Sequence, residues 1–390
     1  MISVDEALSH LFALTTPLDA EDVPLIRADG RVLAKDAYAT RNQPPFAASA
    51  MDGYAVDAKS IKAGQTYEVI GEAAAGHAWQ GKVGPAQAVR IFTGAPLPEG
   101  TDHVIIQENV TRAGDTITLD DSANDTPFVR PAGADFKAGD AIRAPRVLTP
   151  SDIALLASMN IATVSVTRRP SVAIIATGDE LVQPGETPGP DQIIASNSYG
   201  LAALIRQLGA DPRLLPIARD TRASLALAFD LAADADLIVT IGGASVGDHD
   251  LVGEVATDKG MDRAFYKVAM RPGKPLMAGR MGRTTMIGLP GNPVSAMVCG
   301  HVFLAPMIRK MLGMGAQPAL RETHALAKPA PANGPREHYM RAHLGPEGVT
   351  IFDRQDSALL TVLAEANCLA VRPINDPARD TGDQIEIIRL

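Results

Sequence analysis

From Ser171 to Ile241 the chain repeats one unit: an apolar run, a stretch with helical spacing, then another apolar run. Ser171 to Ala176, Leu214 to Ile217 and Asp236 to Ile241 read as strands, and Ser198 to Leu208 and Ala223 to Ala233 between them read as helices. Parallel strands need crossover connections of about a dozen residues or more, and helices supply them. The alternation therefore predicts a parallel, doubly wound α/β sheet with right-handed crossovers. A further helix closes this region, with Asn292 as cap, Pro293 at its first position, Val294, Met297, Val298, Met307 and Ile308 as apolar positions, and Arg309, Lys310 and Gly313 at its end.

The rest of the chain departs from that pattern. Ser3 and Glu6 make a capping box ahead of Val4, Ala7, Leu8, Leu11 and Leu14, which predicts an amphipathic helix whose apolar stripe needs a partner surface. Residues 29–137 carry short alternating or apolar runs between Gly and Pro clusters, the mark of an inserted β-rich domain. Thr149-Pro150-Ser151-Asp152 starts another helix, expected to pair with the opening one across the insertion. After a Pro-rich link from Lys328 to Pro335, His338 to Leu344 and Asp383 to Ile388 read as strands of a small C-terminal β-domain. The expected division is a split helical dimerisation region (1–28 and 138–169), the inserted domain (29–137), an α/β domain (170–317) and the C-terminal β-domain (318–390).

Length agrees with several folding units, since 390 residues exceed the roughly 250 to 300 that one core supports. The formal charge of −9 argues against a nucleic-acid or anionic-membrane surface, so an anion site must gather its cations locally. Cys299 and Cys368 have no pairing or metal-ligand rhythm and read as buried hydrophobes. Met1 to Leu14 lacks the features of a signal peptide, and Val294 to Ile308 is too short and interrupted to span a bilayer, so a cytoplasmic protein is expected.

Ligands of a doubly wound sheet sit beyond the carboxyl ends of its strands. Three loops fall there: Thr177-Gly178-Asp179-Glu180, Arg219-Asp220, and the Gly-rich loop from Gly242 to Asp250. Gly242, Gly243 and Gly247 allow backbone amides to approach a phosphate. The same loop fits a nucleophile elbow through Gly243, Ser245 and Gly247, which leaves a serine hydrolase open as a reading. Glu180, Asp220, Asp248 and Asp250 gather hard oxygen ligands of the kind that hold Mg²⁺, or else are solvated loop acids. Arg271-Pro272-Gly273-Lys274-Pro275 fixes two cations on a stiff turn suited to a small tetrahedral dianion, and Gly288 to Ser295 sets a rigid loop before a helix start, which favours an oxyanion.

Four segments taken together resemble the molybdopterin molybdenumtransferase family (MoeA and the gephyrin E-domain): Ser49-Ala50-Met51-Asp52-Gly53-Tyr54-Ala55, Ile91-Phe92-Thr93-Gly94-Ala95, the Gly242 to Asp250 loop, and the pair Arg271 to Pro275 and Gly288 to Pro293. The order of units resembles that family over essentially the full length. The resemblance implies an elongated homodimer, with the stripe of the opening helix at its interface and Asp52 and Thr93 of one subunit facing the α/β crevice of the other.

It also implies insertion of molybdate into adenylylated molybdopterin with release of AMP, in molybdenum cofactor biosynthesis. The substrate would lie along Thr177, Gly178, Glu180, Gly242, Gly243, Ser245, Gly247, Pro290 and Pro293, with Mg²⁺ at Asp250 and Glu180. Asp250, Asp220, Lys274, Asp52, Thr93 and Asp135 match the family's catalytic positions. Its molybdate pocket maps onto Arg271, Lys274, Pro275, Ser295, Arg341 and Ser357. Arg271 stands where many relatives carry lysine, which keeps the charge and changes a point donor into a planar fork. Transient contact with the molybdopterin adenylyltransferase and with molybdoenzyme assembly factors is implied as well. The related adenylyltransferase and a non-catalytic scaffold are the other readings; the former needs neither the Met51-Asp52-Gly53-Tyr54 domain nor the C-terminal β-domain.

Overall fold

The opening helix α1 (Val4–Leu14) begins at a reciprocal cap, in which Ser3 Oγ accepts from the Glu6 N–H at 3.1 Å and Glu6 Oε2 accepts from the Ser3 N–H at 2.7 Å. Its last turn has no basic residue of its own. Distant side chains satisfy its terminal carbonyls: Lys310 Nζ donates to Phe12 O, and Arg280 Nη2 and Thr285 Oγ1 donate to Leu14 O at 2.7 and 2.8 Å. Positive charge at that end complements the helix dipole. Val4, Ala7, Leu8 and Leu11 are at most 5% exposed, packed near the strands Met261–Lys267 and Pro275–Met281 and the helix Ala305–Met311. Burial of each Val or Leu contributes roughly 1.5–3 kcal/mol. The stripe expected at a dimer interface is thus already covered inside the subunit.

The computed structural model describes residues 1–120, 126–243 and 251–390. They form two units, Met1–Glu21 with Thr167–Leu390, and Asp22–Val166. The helix that starts after Thr149 lies in the second unit and α1 in the first.

In the second unit, β1 (Gly53–Val56), β2 (Thr66–Ala73), β3 (Gln87–Ile91), β4 (His103–Ile106), β5 (Val110–Ala113) and β6 (Thr116–Leu119) make one sheet in the order β4-β1-β3-β2-β6-β5. Alternate residues serve two cores: Tyr54, Val56, Tyr67, Ala88 and Ile117 pack in one, Ala55, Ala73, Val89, Ile91 and Val104 in the other. That is the period-two pattern of a sheet buried on both faces. Helix α2 (Pro150–Ser158) carries a capping box of Thr149 and Asp152 and packs Leu156 against Leu33, Ile142 and Val164.

In the first unit, β7 (Ser171–Ala176), α3 (Ser196–Gln207), β8 (Asp211–Leu214), α4 (Arg222–Ala232), β9 (Leu237–Ile241), α5 (Leu251–Asp258), β10 (Met261–Lys267), β11 (Pro275–Met281) and β12 (Thr284–Leu289) lead into α6 (Pro293–Cys299), a π turn at Gly300–Leu304, and α7 (Ala305–Met311). The sheet order is β8-β7-β9-β12-β11-β10. Strands β8, β7, β9 and β12 are parallel; the alternation predicts this for β7 and β9, whereas β8 covers Asp211–Leu214 in place of the expected 214–217 and β12 adds a strand beyond those expected. Strands β11 and β10 extend the sheet antiparallel, because only Gly282 and Arg283 join β11 to β12, too short a link for a crossover. Ala173, Ile175 and Ile238 pack under α4 and α5, while α3 and α6 pack together elsewhere on the sheet, so helices cover it as a doubly wound fold requires.

The C-terminal segment adds β13 (Glu322–Ala325), β14 (Glu337–Gly345), β15 (Gly348–Ile351), α8 (Leu360–Glu365), β16 (Cys368–Arg372) and β17 (Gln384–Arg389). Its sheet runs β14-β16-β17-β13, with β15 also on β14, and takes in the short strand Met270–Arg271, which places Arg271 beside His338 of β14. Cys299 and Cys368 are free and buried, in keeping with their reading as hydrophobes.

Candidate functional site

The chain steps from β7 outward to β8 and then back across to β9, so the strand order reverses at β7, and a cleft opens at the carboxyl ends there. Backbone bonds lace its loops together: Thr177 N–H to Ile241 O at 3.0 Å, Gly178 N–H to Ala218 O at 3.1 Å, and Gly242 N–H to Leu289 O at 3.1 Å. The cleft encloses about 630 Å³ and is lined by Thr177, Gly178, Glu180, Asp220, Gly242, Gly243, Pro290 and Pro293, among others. Asp220, expected to be catalytic, and the others, expected to bind substrate, are brought together from loops that follow four strands of the sheet. Gly243 has φ +66°, and a Cβ there would lie 2.2 Å from Val252 Cγ2 and 3.0 Å from Thr177 Oγ1, so only glycine fits. Ser245, Gly247, Asp248 and Asp250 lie outside the described residues.

Asp220 lines the cleft with Glu180 and lies beside Asp179. Its N–H donates to Asp179 Oδ1 at 3.3 Å, and loss of water together with the charges of Asp179 and Glu180 raises its carboxyl above the usual range. Arg219 Nη1 donates to Asp179 O and Leu181 O at 2.9 and 3.3 Å and pins the loop that carries Glu180. Among the described residues, no group of three or more His, Cys, Asp or Glu is arranged to hold a metal ion.

A second cavity of about 340 Å³ adjoins the first, and Pro275, Pro290 and Asn292 face both. Arg271, Lys274 and Arg336 line it against one carboxylate, Asp356, with Ser295 and Ser357. Three cations to one anion is the local concentration of positive charge that a chain of −9 needs for an anion site. Asn292 precedes α6 as expected, yet its side chain does not cap the helix: Nδ2 donates to Ser357 Oγ at 3.0 Å, and Val294 N–H donates to Ser357 O at 3.0 Å. The helix start thus fixes Ser357 at the cavity wall.

Arg341, expected in the molybdate pocket, is fully buried and is not part of that lining. Its Nη2 donates to Asp356 O at 2.8 Å and Arg354 O at 3.3 Å, and its Nε and Nη1 have no hydrogen-bond partner in the structure. Burial, and next to it the opposing effect of Asp356, leave its pKa lowered, with Arg271 adding to the fall. It holds the loop that presents Asp356 and Ser357. Arg336, which sequence reasoning missed, supplies a half-buried cation of the lining in its place. Its one sequence signal is a cation directly after the Pro-rich link, and only the pairing of β14 with Met270–Arg271 brings it to Arg271. His338 is buried among these groups, and desolvation, then Arg271, Arg341, Arg336 and Arg372, push it down to about 4.

In the second unit, Thr93 donates both its N–H and its hydroxyl to Asp52 Oδ1 at 2.8 Å, and these bonds, with Arg90 nearby, lower the Asp52 carboxyl. The Arg90 guanidinium lies 5.0 Å from the centre of the Tyr54 ring and 4.8 Å from that of Phe92. Asp135 sits on a different loop, where its N–H donates to Gln43 O at 2.9 Å.

A cleft at the strand-order reversal, joined to a small cationic pocket, defines an α/β protein suited to holding a phosphorylated ligand beside a compact anion. Family models match three stretches of the chain: the MoeA N-terminal region (domain I and II) over residues 2–160, a probable molybdopterin binding domain over 173–310, and the MoeA C-terminal region (domain IV) over 323–390. The chain is 35% identical to a molybdopterin molybdenumtransferase of Nostoc sp. over 411 residues, covering 100% of this chain and 94% of the relative. It is 38% identical to that of Haemophilus influenzae over 317 residues, covering 80% and 78%. The crystal structure of the molybdopterin biosynthesis moeA protein of Pyrococcus horikoshii superposes with a TM-score of 0.87 at 26% identity over the whole of both chains. This chain belongs to the molybdopterin molybdenumtransferase family.

Proposed function

We propose that the protein is a transferase of molybdenum cofactor biosynthesis that inserts molybdate into adenylylated molybdopterin and releases AMP. The carrying observation is the pair of cavities with a common wall, one large enough for a nucleotide-linked pterin and one cationic and small. The family relationship over the full chain supports this reading above an adenylyltransferase or a scaffold.

Molybdate and a dithiolate repel one another as anions, so the first must be neutralised before the two can join. Lys274, Arg271 and Arg336 would hold the tetrahedral dianion, Ser295 and Ser357 would bond its oxygens, and Pro275 would bound it. Thr177, Gly178, Gly242, Gly243, Ser245, Gly247, Pro290 and Pro293 would cradle the pterin nucleotide. Asp220 and Glu180 would orient groups at the phosphoanhydride; Asp52, Thr93 and Asp135 would act in the reaction, and substitution of each should lower turnover.

Mg²⁺ dependence belongs to the proposal. The raised carboxyl of Asp220, crowded by Asp179 and Glu180, fits a cation that would relieve the repulsion, and Glu180 with Asp250 would hold it. Bound there, Mg²⁺ would neutralise charge on the phosphoanhydride. A homodimer, transient contact with the adenylyltransferase and with molybdoenzyme assembly factors, and a cytoplasmic location complete the reading.

The test is AMP release from purified adenylylated molybdopterin with Mg²⁺, with and without molybdate, alongside activation of a molybdenum-free acceptor enzyme. Molybdate-dependent AMP release with acceptor activation is expected. A folded protein that does neither overturns the proposal.

A further inference from the structure

The large cleft is lined by the strand-end loops and, on one side, by the aliphatic residues Leu181, Ile193 and Ile194. There Leu181–Val182 pairs with Ile193–Ile194 in a two-stranded ribbon. Ile193 and Ile194 both line the cleft, yet they are 58% and 37% exposed. A single exposed aliphatic residue needs no explanation, whereas two adjacent ones on the lip of a ligand-sized cavity offer apolar area that a ligand can cover. The ribbon is held in place at its base. Ile193 N–H donates to Glu180 O at 2.8 Å and Ala195 N–H to Val182 O at 2.9 Å, while Arg219 grips Asp179 O and Leu181 O. Tyr199 OH braces the far side on Gln183 Oε1 at 3.2 Å. Glu180 therefore ties the apolar lip to the loop of Thr177 and Gly178 through its own carbonyl.

Resting on the function proposed above, we propose that Ile193 and Ile194 form a platform for a flat heteroaromatic ring of the substrate, adenine or pterin, and set the preference for ring-bearing over ringless phosphate ligands. The substrate's phosphates are anions suited to the strand-end loops, and its rings are the uncharged flat parts that match two aliphatic side chains.

The experiment titrates the full-length protein with AMP, ribose 5-phosphate and molybdopterin by calorimetry, comparing wild type with the Ile193→Ser/Ile194→Ser double variant. Wild type should prefer AMP to ribose 5-phosphate. If the platform holds adenine, the double variant loses about tenfold in AMP affinity and keeps its ribose 5-phosphate affinity. If it holds the pterin, molybdopterin affinity falls by the same factor and the AMP preference stays. An Ile193→Val/Ile194→Val variant should retain the wild-type pattern. Equal affinities in wild type and the double variant for both ring ligands overturn the platform, as does an equal loss for all three ligands. Loss of self-association by sedimentation, with ligand affinities unchanged, would make the pair an interface instead. A wild type that binds ribose 5-phosphate but shows no preference for either ring ligand removes the platform without touching the anion pocket; one that binds no ligand of the three removes the function proposal with it.

Discussion

Gly178 and Glu180 occupy each other's space: a Cβ on Gly178, whose φ is +144°, would lie 2.3 Å from Glu180 Oε2. The side chain of Glu180 can yield, so Gly178→Ala should displace that carboxylate as well as strain the backbone by about 1–3 kcal/mol. A shift of about 1 Å in a positioned group lowers turnover on the order of 100-fold. AMP release should fall accordingly while the melting temperature drops only by the strain. Wild-type turnover in this variant would remove Glu180 from the reaction.

Asp220 has its carboxyl raised by desolvation and by the charges of Asp179 and Glu180. A carboxyl raised on folding gives stability that is full below its unfolded pKa and is lost as pH rises through the folded value. Asp220→Asn should therefore melt higher than wild type at neutral pH, with the gap closing in acid. Mg²⁺ should stabilise wild type more than the variant, because relief of repulsion is what the ion supplies. Equal Mg²⁺ stabilisation of the two proteins by calorimetry would speak against a cation among these acids.

Arg336 and Arg341 should separate cleanly on substitution. Arg336→Gln removes a donor that lines the cavity and should weaken molybdate binding by about 10- to 100-fold, since a charged hydrogen bond contributes about 1.5–3 kcal/mol, with little change in melting. Arg341→Ala deletes a large buried side chain and should cost roughly 2–5 kcal/mol of stability. Its effect on molybdate should come through the loop at Ser357. Loss of molybdate binding in the Arg341 variant at unchanged stability would reverse these two assignments.

His338, pushed down to about 4 from an unfolded value near 6.5, must stay neutral in the folded protein. A depressed pKa gives stability present above the unfolded value and lost as pH falls, so the window runs from about 6.5 to about 4. The difference of about 2.5 pH units is on the order of 3 kcal/mol at its limit. Urea unfolding of His338→Leu should show a shallower loss than wild type across that window. An anion beside Arg271 should raise the His338 value, visible by NMR as a ring that titrates at higher pH when molybdate is present.

How far the sequence could be read differs by element. The caps at Ser3 and Thr149 and the parallel strands β7 and β9 were legible, because capping boxes and βαβ alternation are local patterns, whereas β8 begins three residues before the expected strand and β12 was not read as a strand. The destination of the α1 stripe was not: Val4, Leu8 and Leu11 look the same whether they face a partner or their own β10 and β11. The antiparallel edge was equally hidden, since apolar runs do not state strand direction. At the site, residues clustered in motifs, such as Thr177 to Glu180 and Arg271 to Pro275, reached the expected cavities. Arg336 and Arg341 could not be told apart from sequence, because which arginine meets water depends on how β14 pairs with residues about 65 positions earlier.

Pro275, Pro290 and Asn292 belong to the walls of both cavities, and two of the three have no N–H to give. Asn292 is engaged with Ser357, so a ligand that shifts Asn292 on one side moves a hydroxyl on the other. Occupancies across such a partition are thermodynamically linked: whatever factor the anion contributes to nucleotide affinity, the nucleotide must return to the anion. The doubly loaded state then has one free energy by either route, and the order of arrival is a matter of rates alone.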